Sequence, residues 1–337
     1  MASMKDVALR ASVSLGTVSK YLNAPHRVAP ATQQRIRDAV DALGYTRNEA
    51  ARQLKSGRSR VLAFVALELN NPFFGEVAEG MERRAAEDDL YLSIVSTSGS
   101  AERETDYIRM LVQQRVYGVI LASGTTRPEA FDILRTAGMP TVLMDAYAVS
   151  ARFSSCSIND YSGARKATEH LIAQGCRRIA FVGGENHTYQ IAERLRGASA
   201  AIEGVEGVAL EVVPTVDRSV HAGLRVGREL AARPSYERPD GIFAANDSLA
   251  IGAIGALTRD RRISIPRDIA VVGYDDVDFV AASAVPLTSV RRPREVFGRR
   301  AVDLIRDQVD AGSPGGAIEH VLIEPELIVR ESSIRCV

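Results

Sequence analysis

The sequence predicts a small all-α head joined to a larger α/β core of two doubly wound lobes. Three observations lead there. The first 45 residues place apolar side chains at helical spacing. From Arg60 onward, short apolar runs alternate with amphipathic stretches, as in parallel strands joined by helices. The charge is also divided. Residues 1–60 hold 11 basic and four acidic side chains, a net of +7, whereas the rest of the 337-residue chain carries −7. A basic head on an acidic body points to a head that meets a polyanion and a body that does not.

Composition bounds the answer. A chain of 337 residues is too long for one ordinary core, and 46% hydrophobic with 25% charged residues is the balance of a soluble globular protein. No apolar run approaches the roughly 20 residues that span a bilayer. The opening "MASMKDVALR" lacks the apolar segment of a secretory signal, so a cytoplasmic location and no membrane partner are expected. Cys156, Cys176 and Cys336 have neither disulfide nor zinc spacing and read as packing thiols. No metal or other cofactor is indicated.

In the head, Val7, Ala8 and Ala11 form the inner face of a first short helix. After a turn at Ser12–Val13, Ser14 is a good N-cap for a second helix, in which Val18 and Leu22 share a buried face with Tyr21 alongside. Leu15, Gly16, Ser19 and Lys20 lie on the opposite side, an unusual outer face because a helical glycine costs about 1 kcal/mol relative to alanine. A third helix opens near Pro30, turns Ile36, Ala39, Val40 and Leu43 inward, and ends at Gly44. Two short helices, a tight turn and a third helix describe a helix-turn-helix unit, whose second helix enters the major groove of DNA.

The residues "KDVALRASVSLGTVSKYLN" and "VAPATQQRIRDAVDALGYTRNEAARQLKSGRSR" closely resemble the head of the lactose-repressor/galactose-repressor (LacI/GalR) family of bacterial regulators. The resemblance implies a DNA-binding domain over residues 1–47 and a hinge helix or linker over 48–59. It places Leu15, Gly16 and Lys20 where the family reads base edges, and Ser14, Thr17, Ser19 and Asn23 where it holds phosphates or the groove wall. The chemistry is consistent: a lysine can donate to guanine O6/N7, and a leucine can touch a thymine methyl. Small hydroxyls at a helix start suit phosphates. Leu54 matches a leucine that wedges between base pairs in the minor groove, a device that kinks the duplex.

The core alternates in two series. "RVLAFVAL", "LYLSIVST", "YGVILAS" and "MPTVLMDA" read as buried strands, followed by "RRIAFVGG", "ALEVVPT", "DGIFAAN" and "DIAVVGYDD". Eight strands divide more naturally into two lobes than one. The segments "NPFF", "HLIAQGCRRIAFVGG", "ERLRG", "AANDSLAIGAIGAL" and "IAVVGYDD" resemble the family's effector-binding core, of the periplasmic-binding-protein type. Three crossings between lobes are then implied. The expected first lobe covers about 60–158 and 288–318, the second about 159–287 and 319–337, within a core of 60–337.

Ligands of doubly wound sheets bind outside the carboxyl ends of the strands. Asp145, Asn246 and Asp275 stand at such ends, Phe73 and Phe74 follow the first strand, and Arg194 lies in the helix after "FVGG". By resemblance, Arg194, Asn246 and Asp275 match the family's hydrogen-bonding trio for the effector, and Phe74 an aromatic wall. An arginine fork and a carboxylate can clamp vicinal hydroxyls while a ring stacks on an apolar face, so a sugar or sugar derivative is the expected effector. Arg218 stands where several relatives carry an aromatic; beside Arg194 it would suit a sugar phosphate or sugar acid.

The resulting reading is a ligand-responsive regulator, commonly a repressor in this family, binding double-stranded operator DNA as a homodimer or a tetramer. Two other classes compete. A transporter's solute-binding protein would fit the core, but not the basic head or the missing signal. An enzyme could use the paired carboxylates of "GYDD" and "AND", yet no nucleophile elbow, P-loop or metal-spaced histidine cluster accompanies them. If Leu54 is the minor-groove wedge, Leu54→Ala abolishes specific operator binding and leaves effector binding intact. Mobility shift and calorimetry on the same variant check both halves.

Overall fold

In a computed structural model of the protein, the described residues are 2–46, 53, 57–122, 128–146, 152–184, 188–259, 263–312 and 318–335. The chain divides into two units, Met1–Ser59 and Arg60–Val337. Leu54 and Cys336, singled out above, lie outside the described residues.

The first unit holds α1 (Met4–Arg10), α2 (Leu15–Asn23), a 3₁₀ turn (Pro25–Arg27) and α3 (Pro30–Leu43). Local chemistry sets each boundary. Ser3 caps α1 reciprocally with Asp6: the Asp6 amide donates to Ser3 Oγ, and the Ser3 amide donates to Asp6 Oδ2 at 2.8 Å. Hydrogen bonds from the Ser3 backbone and side chain hold the Asp6 carboxyl below its ordinary pKa. Ser14 caps α2 by accepting from the Thr17 amide at 3.1 Å. Gly44, at φ 55°, ends α3 in the left-handed region where a side chain would be strained. Val7, Ala8, Ala11, Val18, Ile36 and Ala39 form the core of this unit.

The second unit begins with β1 (Val61–Ala66), α4 (Pro72–Ala86), β2 (Tyr91–Ser96), α5 (Ala101–Gln113), β3 (Gly118–Ala122), α6 (Pro128–Thr136), β4 (Thr141–Met144) and β5 (Ser154–Ile158). It continues with α7 (Asp160–Ala173), β6 (Arg178–Val182), α8 (Tyr189–Ile202), β7 (Ala209–Val213), α9 (Val220–Ala232), β8 (Gly241–Ala244), α10 (Asp247–Leu257) and β9 (Ala270–Asp275). It ends with β10 (Thr288–Arg291), α11 (Arg294–Asp310), β11 (His320–Ile323) and β12 (Glu326–Ile328). The strands form two sheets, ordered β11-β5-β4-β3-β1-β2 and β12-β10-β9-β8-β6-β7. Every pairing is parallel except β10 with β12. Helices cover both faces of each sheet: α4 and α11 against α5 and α6 in the first lobe, and α7 and α8 against α9 and α10 in the second.

The crossings differ from the sequence expectation. Residues 288–291 do not belong to the first lobe; Ser289 pairs with Gly273 in the second sheet. The chain crosses at Arg292–Pro293, and α11 then packs on the first lobe. Residues 319–323 do not belong to the second lobe either, because His320 pairs with Ser155 in the first sheet. The last crossing is Glu324–Pro325.

Four strands (β5, β10, β11 and β12) escaped the hydropathy reading. The central strand β5 is "SSCSI", and its hydroxyls are buried only because partners exist. Ser155 Oγ meets His320 Nδ1 at 2.9 Å, Ser157 Oγ accepts from the Ala146 amide at 3.1 Å, and Ser154 Oγ accepts from the Glu319 amide at 3.2 Å. Cys156 and Cys176 are free and buried, and burial pushes their thiols up to about 12 and about 11.

Helices α9 and α10 approach so closely that glycines are required at the contact. A Cβ on Gly252 would lie 2.2 Å from the Val220 carbonyl oxygen, and one on Gly223 2.2 Å from that of Leu249. Gly252→Ala gains at most about 1 kcal/mol of helix propensity but forces backbone apart, at about 1–3 kcal/mol. A lower urea midpoint with an unchanged slope is the expected result.

Candidate functional site

Two surfaces carry functional chemistry, one in each unit. In the head, Leu15, Gly16 and Lys20 are exposed on one side of α2, and Leu15 keeps 43% of its surface in solvent. Val18 is fully buried on the other side. The outward face foreseen from spacing is therefore present. Ser14, Thr17, Ser19 and Asn23 border it. Ser14 Oγ and Thr17 Oγ1 are 2.8 Å apart, and Asn23 Nδ2 donates to the Ser19 carbonyl at 2.8 Å. These short polar groups are pre-positioned by the cap and by the last turn of the helix.

In the core, the carboxyl ends of the two parallel sheets supply the walls of a cleft of about 360 Å³, open solvent included. Leu67, Glu68 and Asn71 follow β1, Asp145 follows β4, and Thr188, Gln190, Ile191 and Arg194 come from the start of α8. Arg218 follows β7, Asn246 follows β8, Asp275 ends β9 and Arg292 follows β10. Phe74 contributes the aromatic surface. Asp145, Asp275 and Asp276 hold φ of 52°, 106° and 54°, a region that costs a non-glycine residue about 1–3 kcal/mol. Two of the three, Asp145 and Asp275, line the cleft; Ser12, Asp89, Ser98 and Arg115 adopt positive φ elsewhere.

Charges in the cleft are paired. Arg292, 3% exposed, places Nη2 2.5 Å from Asp145 Oδ2 and Nη1 3.4 Å from Asp275 Oδ1. Its guanidinium carbon lies 3.7 Å from the centroid of the Phe73 ring. Burial opposes its charge, but Asp145, Asp160 and Asp275 outweigh burial and raise its pKa above the ordinary value. Arg194 Nε is 2.9 Å from Asp160 Oδ1, Nη1 donates to the Ala245 carbonyl, and the guanidinium sits 3.7 Å over Tyr274. There too burial opposes the charge and Asp160 prevails. Burial, with Asp160 next, pushes the Tyr274 hydroxyl well above its usual range.

The structure brings Phe74, Asp145, Arg194, Arg218, Asn246 and Asp275 to one cleft. Two expectations change. Phe73 is fully buried beneath Arg292, against Phe74 and Phe297, and does not line the cleft. Its place directly after the α4 cap turns it into the lobe rather than outward. Arg218 does line the cleft, but Glu68 stands 3.6 Å from it, so the pair of guanidiniums expected for an anion has one already matched by a carboxylate. Asn246 also serves the fold. Its Oδ1 accepts from the Leu249 amide, capping α10, and its Nδ2 donates to the Arg218 carbonyl at 3.0 Å. Asp247 and Asp276 are structural: Asp247 accepts from Ser289 Oγ and the Val277 amide, and Asp276 from Arg291 and Arg330.

Sequence reasoning missed Arg292, Asn71, Glu68, Thr188 and Gln190. The rule that found Asp145 would have found Arg292, had "TSVR" been legible as a strand.

A family model described as bacterial regulatory proteins, lacI family, matches residues 3–48. One described as a periplasmic binding protein-like domain matches residues 168–333. The HTH-type transcriptional repressor PurR of Aliivibrio fischeri is 31% identical over 335 residues, covering 98% of each chain. This chain belongs to the LacI family. As a LacI-family protein it is a transcription regulator with a ligand-binding core, and not an enzyme. A structure of the transcriptional regulator CelR in complex with cellobiose is 29% identical, with a TM-score of 0.72, and covers 98% of this chain and 100% of its own. The lac repressor dimer bound to operator and the anti-inducer ONPF shares the fold at a TM-score of 0.85, with 23% identity over 99% of each chain. Among the described residues no helix is long and apolar enough to cross a membrane.

Arg194 differs from a simple ligand contact in what its loss does to the fold. Arg194→Ala leaves the buried Asp160 carboxylate without its cation, a change that costs about 3–5 kcal/mol. Denaturant unfolding of Arg194→Ala is expected to show that loss; near-wild-type stability would mean that the side chain acts on ligand alone.

Proposed function

We propose that this LacI-family regulator binds a near-palindromic operator as a homodimer and is controlled by a neutral, sugar-like effector in its interlobe cleft. One observation carries the effector class: each guanidinium on the cleft wall already faces a carboxylate, Arg292 with Asp145 and Asp275, Arg194 with Asp160, and Arg218 with Glu68. A net anionic ligand would have to break such a pair. Hydroxyl groups, which donate and accept, can join all three without changing their charge balance. Phe74, Leu67 and Ile191 add apolar surface for the faces of a ring. The cellobiose bound to the related CelR supports the same class.

On the DNA side, Lys20 reads a guanine edge, Leu15 and Gly16 read methyls and groove shape, and Ser14, Thr17, Ser19 and Asn23 fix the register on the backbone. Leu54 opens the minor groove. A dimer presents two heads to two half-sites. The exposed Tyr91 and Ile94 on the edge strand β2 supply apolar surface for association. A DNA partner supports a cytoplasmic location for this protein. Effector and operator affinities are reciprocally linked through the cleft's lobe arrangement, and repression is the mode the relatives' names support.

Mobility-shift titrations test the head. Lys20→Ala is expected to cost about 1–3 kcal/mol at one base pair of each half-site, while Gly16→Gln changes which sequence is preferred. Equal weakening on every sequence would make Lys20 a phosphate contact. A thermal-shift screen of neutral sugars, sugar acids and sugar phosphates tests the cleft, since a true effector at 100 times its dissociation constant stabilises by about 2.7 kcal/mol. A response confined to the acids or phosphates would overturn the neutral class.

A further inference from the structure

Asp145 and Asp275 belong to different lobes, at the ends of β4 and β9, and Arg292 lies on the Arg292–Pro293 crossing between those lobes. Its guanidinium touches both carboxylates while lying on Phe73 of the first lobe. We propose that Arg292 is a built-in latch of the effector cleft: it bridges the two lobes through Asp145 and Asp275 and sets which edge of the ligand the cleft can read. The proposal rests on the reading of this cleft as the effector site.

Arg294, at the start of α11, also ties the lobes. Its Nη1 donates to the Asp276 carbonyl and its Nη2 to Asp278 Oδ1, each at 2.6 Å, and its Nε lies 2.5 Å from Glu76 Oε2. A quarter of the Arg294 side chain is in solvent, however, whereas Arg292 is sealed. The ties through Asn71 and Arg218 are longer. Asn71 Nδ2 donates to Asp275 Oδ2 at 3.1 Å, and Arg218 meets Glu68 at 3.6 Å with 22% of each side chain exposed to solvent. Arg292 is 3% exposed, and its partners are 2% and 1% exposed, so water does little to screen this bridge. Without the guanidinium, the same two carboxylates would face each other across a low-dielectric gap and push the lobes apart. Arginine suits the task because its planar fork serves two carboxylates and a ring face together, which a lysine ammonium cannot do.

The latch also sorts the ligand's contacts. Asp145 gives Oδ2 to Arg292, while its Oδ1 is buried with no hydrogen-bond partner. Asp275 has both oxygens engaged, by Arg292 and Asn71. The bridge therefore keeps one unpartnered acceptor, Asp145 Oδ1, and one unpartnered donor, Arg292 Nε, both buried, and a ligand hydroxyl that pairs with either leaves both Arg292–carboxylate contacts in place. Arg292 is a positioning and specificity residue for the cleft.

Hydrogen exchange on the full chain, without effector, tests the latch. Arg292→Gln is expected to speed exchange in the segments around 68–74 and 275–277, which face each other over the cleft, and to leave central strands β3 and β8 unchanged. Arg292→Lys, which cannot span both carboxylates, should show the same local change and serves if the Gln variant does not fold. Millimolar methylguanidinium should restore protection to Arg292→Gly, and sodium chloride at the same strength should not. Wild-type exchange at the cleft in either of the first two variants would overturn the proposal, as would uniform acceleration that includes β3 and β8. Because no effector enters the experiment, a failed effector screen and a failed latch give separate results.

Discussion

Guanidinium groups without solvent are the constraint around which the core is arranged. Arg194 and Arg292 are 4% and 3% exposed, and neither could be buried at that depth alone. Each is matched by carboxylates, covered on one face by an aromatic ring, and supplied by a different part of the chain. The matching fixes what surrounds them. Tyr274 must be aromatic and buried to cover Arg194, and Gly163 must lack a side chain because a Cβ there would lie 2.5 Å from the Tyr274 hydroxyl. Phe73 must turn inward to underlie Arg292. Strained Asp145 and Asp275 at the strand ends hold their carboxylates where Arg292 needs them.

The same arrangement explains the division of labour on the cleft wall. Residues that look alike in sequence do different work. Asp275 and Asp276 are neighbours at the end of β9. Asp275 faces the cleft, whereas Asp276 is gripped by Arg291 and Arg330 and holds the second lobe together. Asn246 and Asp247 divide in the same way: Asn246 lines the cleft and caps α10, and Asp247 is sealed behind it by Ser289 and Val277. Burial, with the Asp275 charge next, raises the Asp247 carboxyl well above its ordinary range, against the hydrogen bonds it accepts from Ser289 and the Val277 amide. In the head the logic is reversed. Leu15, Gly16 and Lys20 stand in water on a helix whose inner face is packed, and a leucine and a glycine at such positions are intelligible as a surface shaped for a partner.

Legibility followed the physics of each signal. Helices α1 to α3 could be read to within a residue or two, because caps at Ser14 and Gly44 and apolar spacing are local properties of the chain. Six of the eight hydrophobic strands are buried as read, because buried parallel strands need continuous apolar runs; β2 and β7, also read as buried, lie at the sheet edges with much of their surface in solvent, a placement that only the strand order decides. Strand β5 was not legible, since three serines are buried there only through partners supplied by Ala146, Glu319 and His320. The polar start of β10 hid the second crossing for the same reason, and with it Arg292.

The sequence by itself determined a basic three-helix head, an α/β core with ligand chemistry at its strand ends, and the family to which both point. Those follow from periodicity, capping and charge, which act between residues close in the chain. Tertiary structure alone decided which lobe each crossing segment joins, that Phe73 lies beneath the cleft, that Glu68 faces Arg218, and that Arg292 spans two carboxylates 147 and 17 residues away from it along the chain. Pairings of that kind depend on long-range register and on the high cost of leaving a buried charge unmatched, and neither is written in any local pattern.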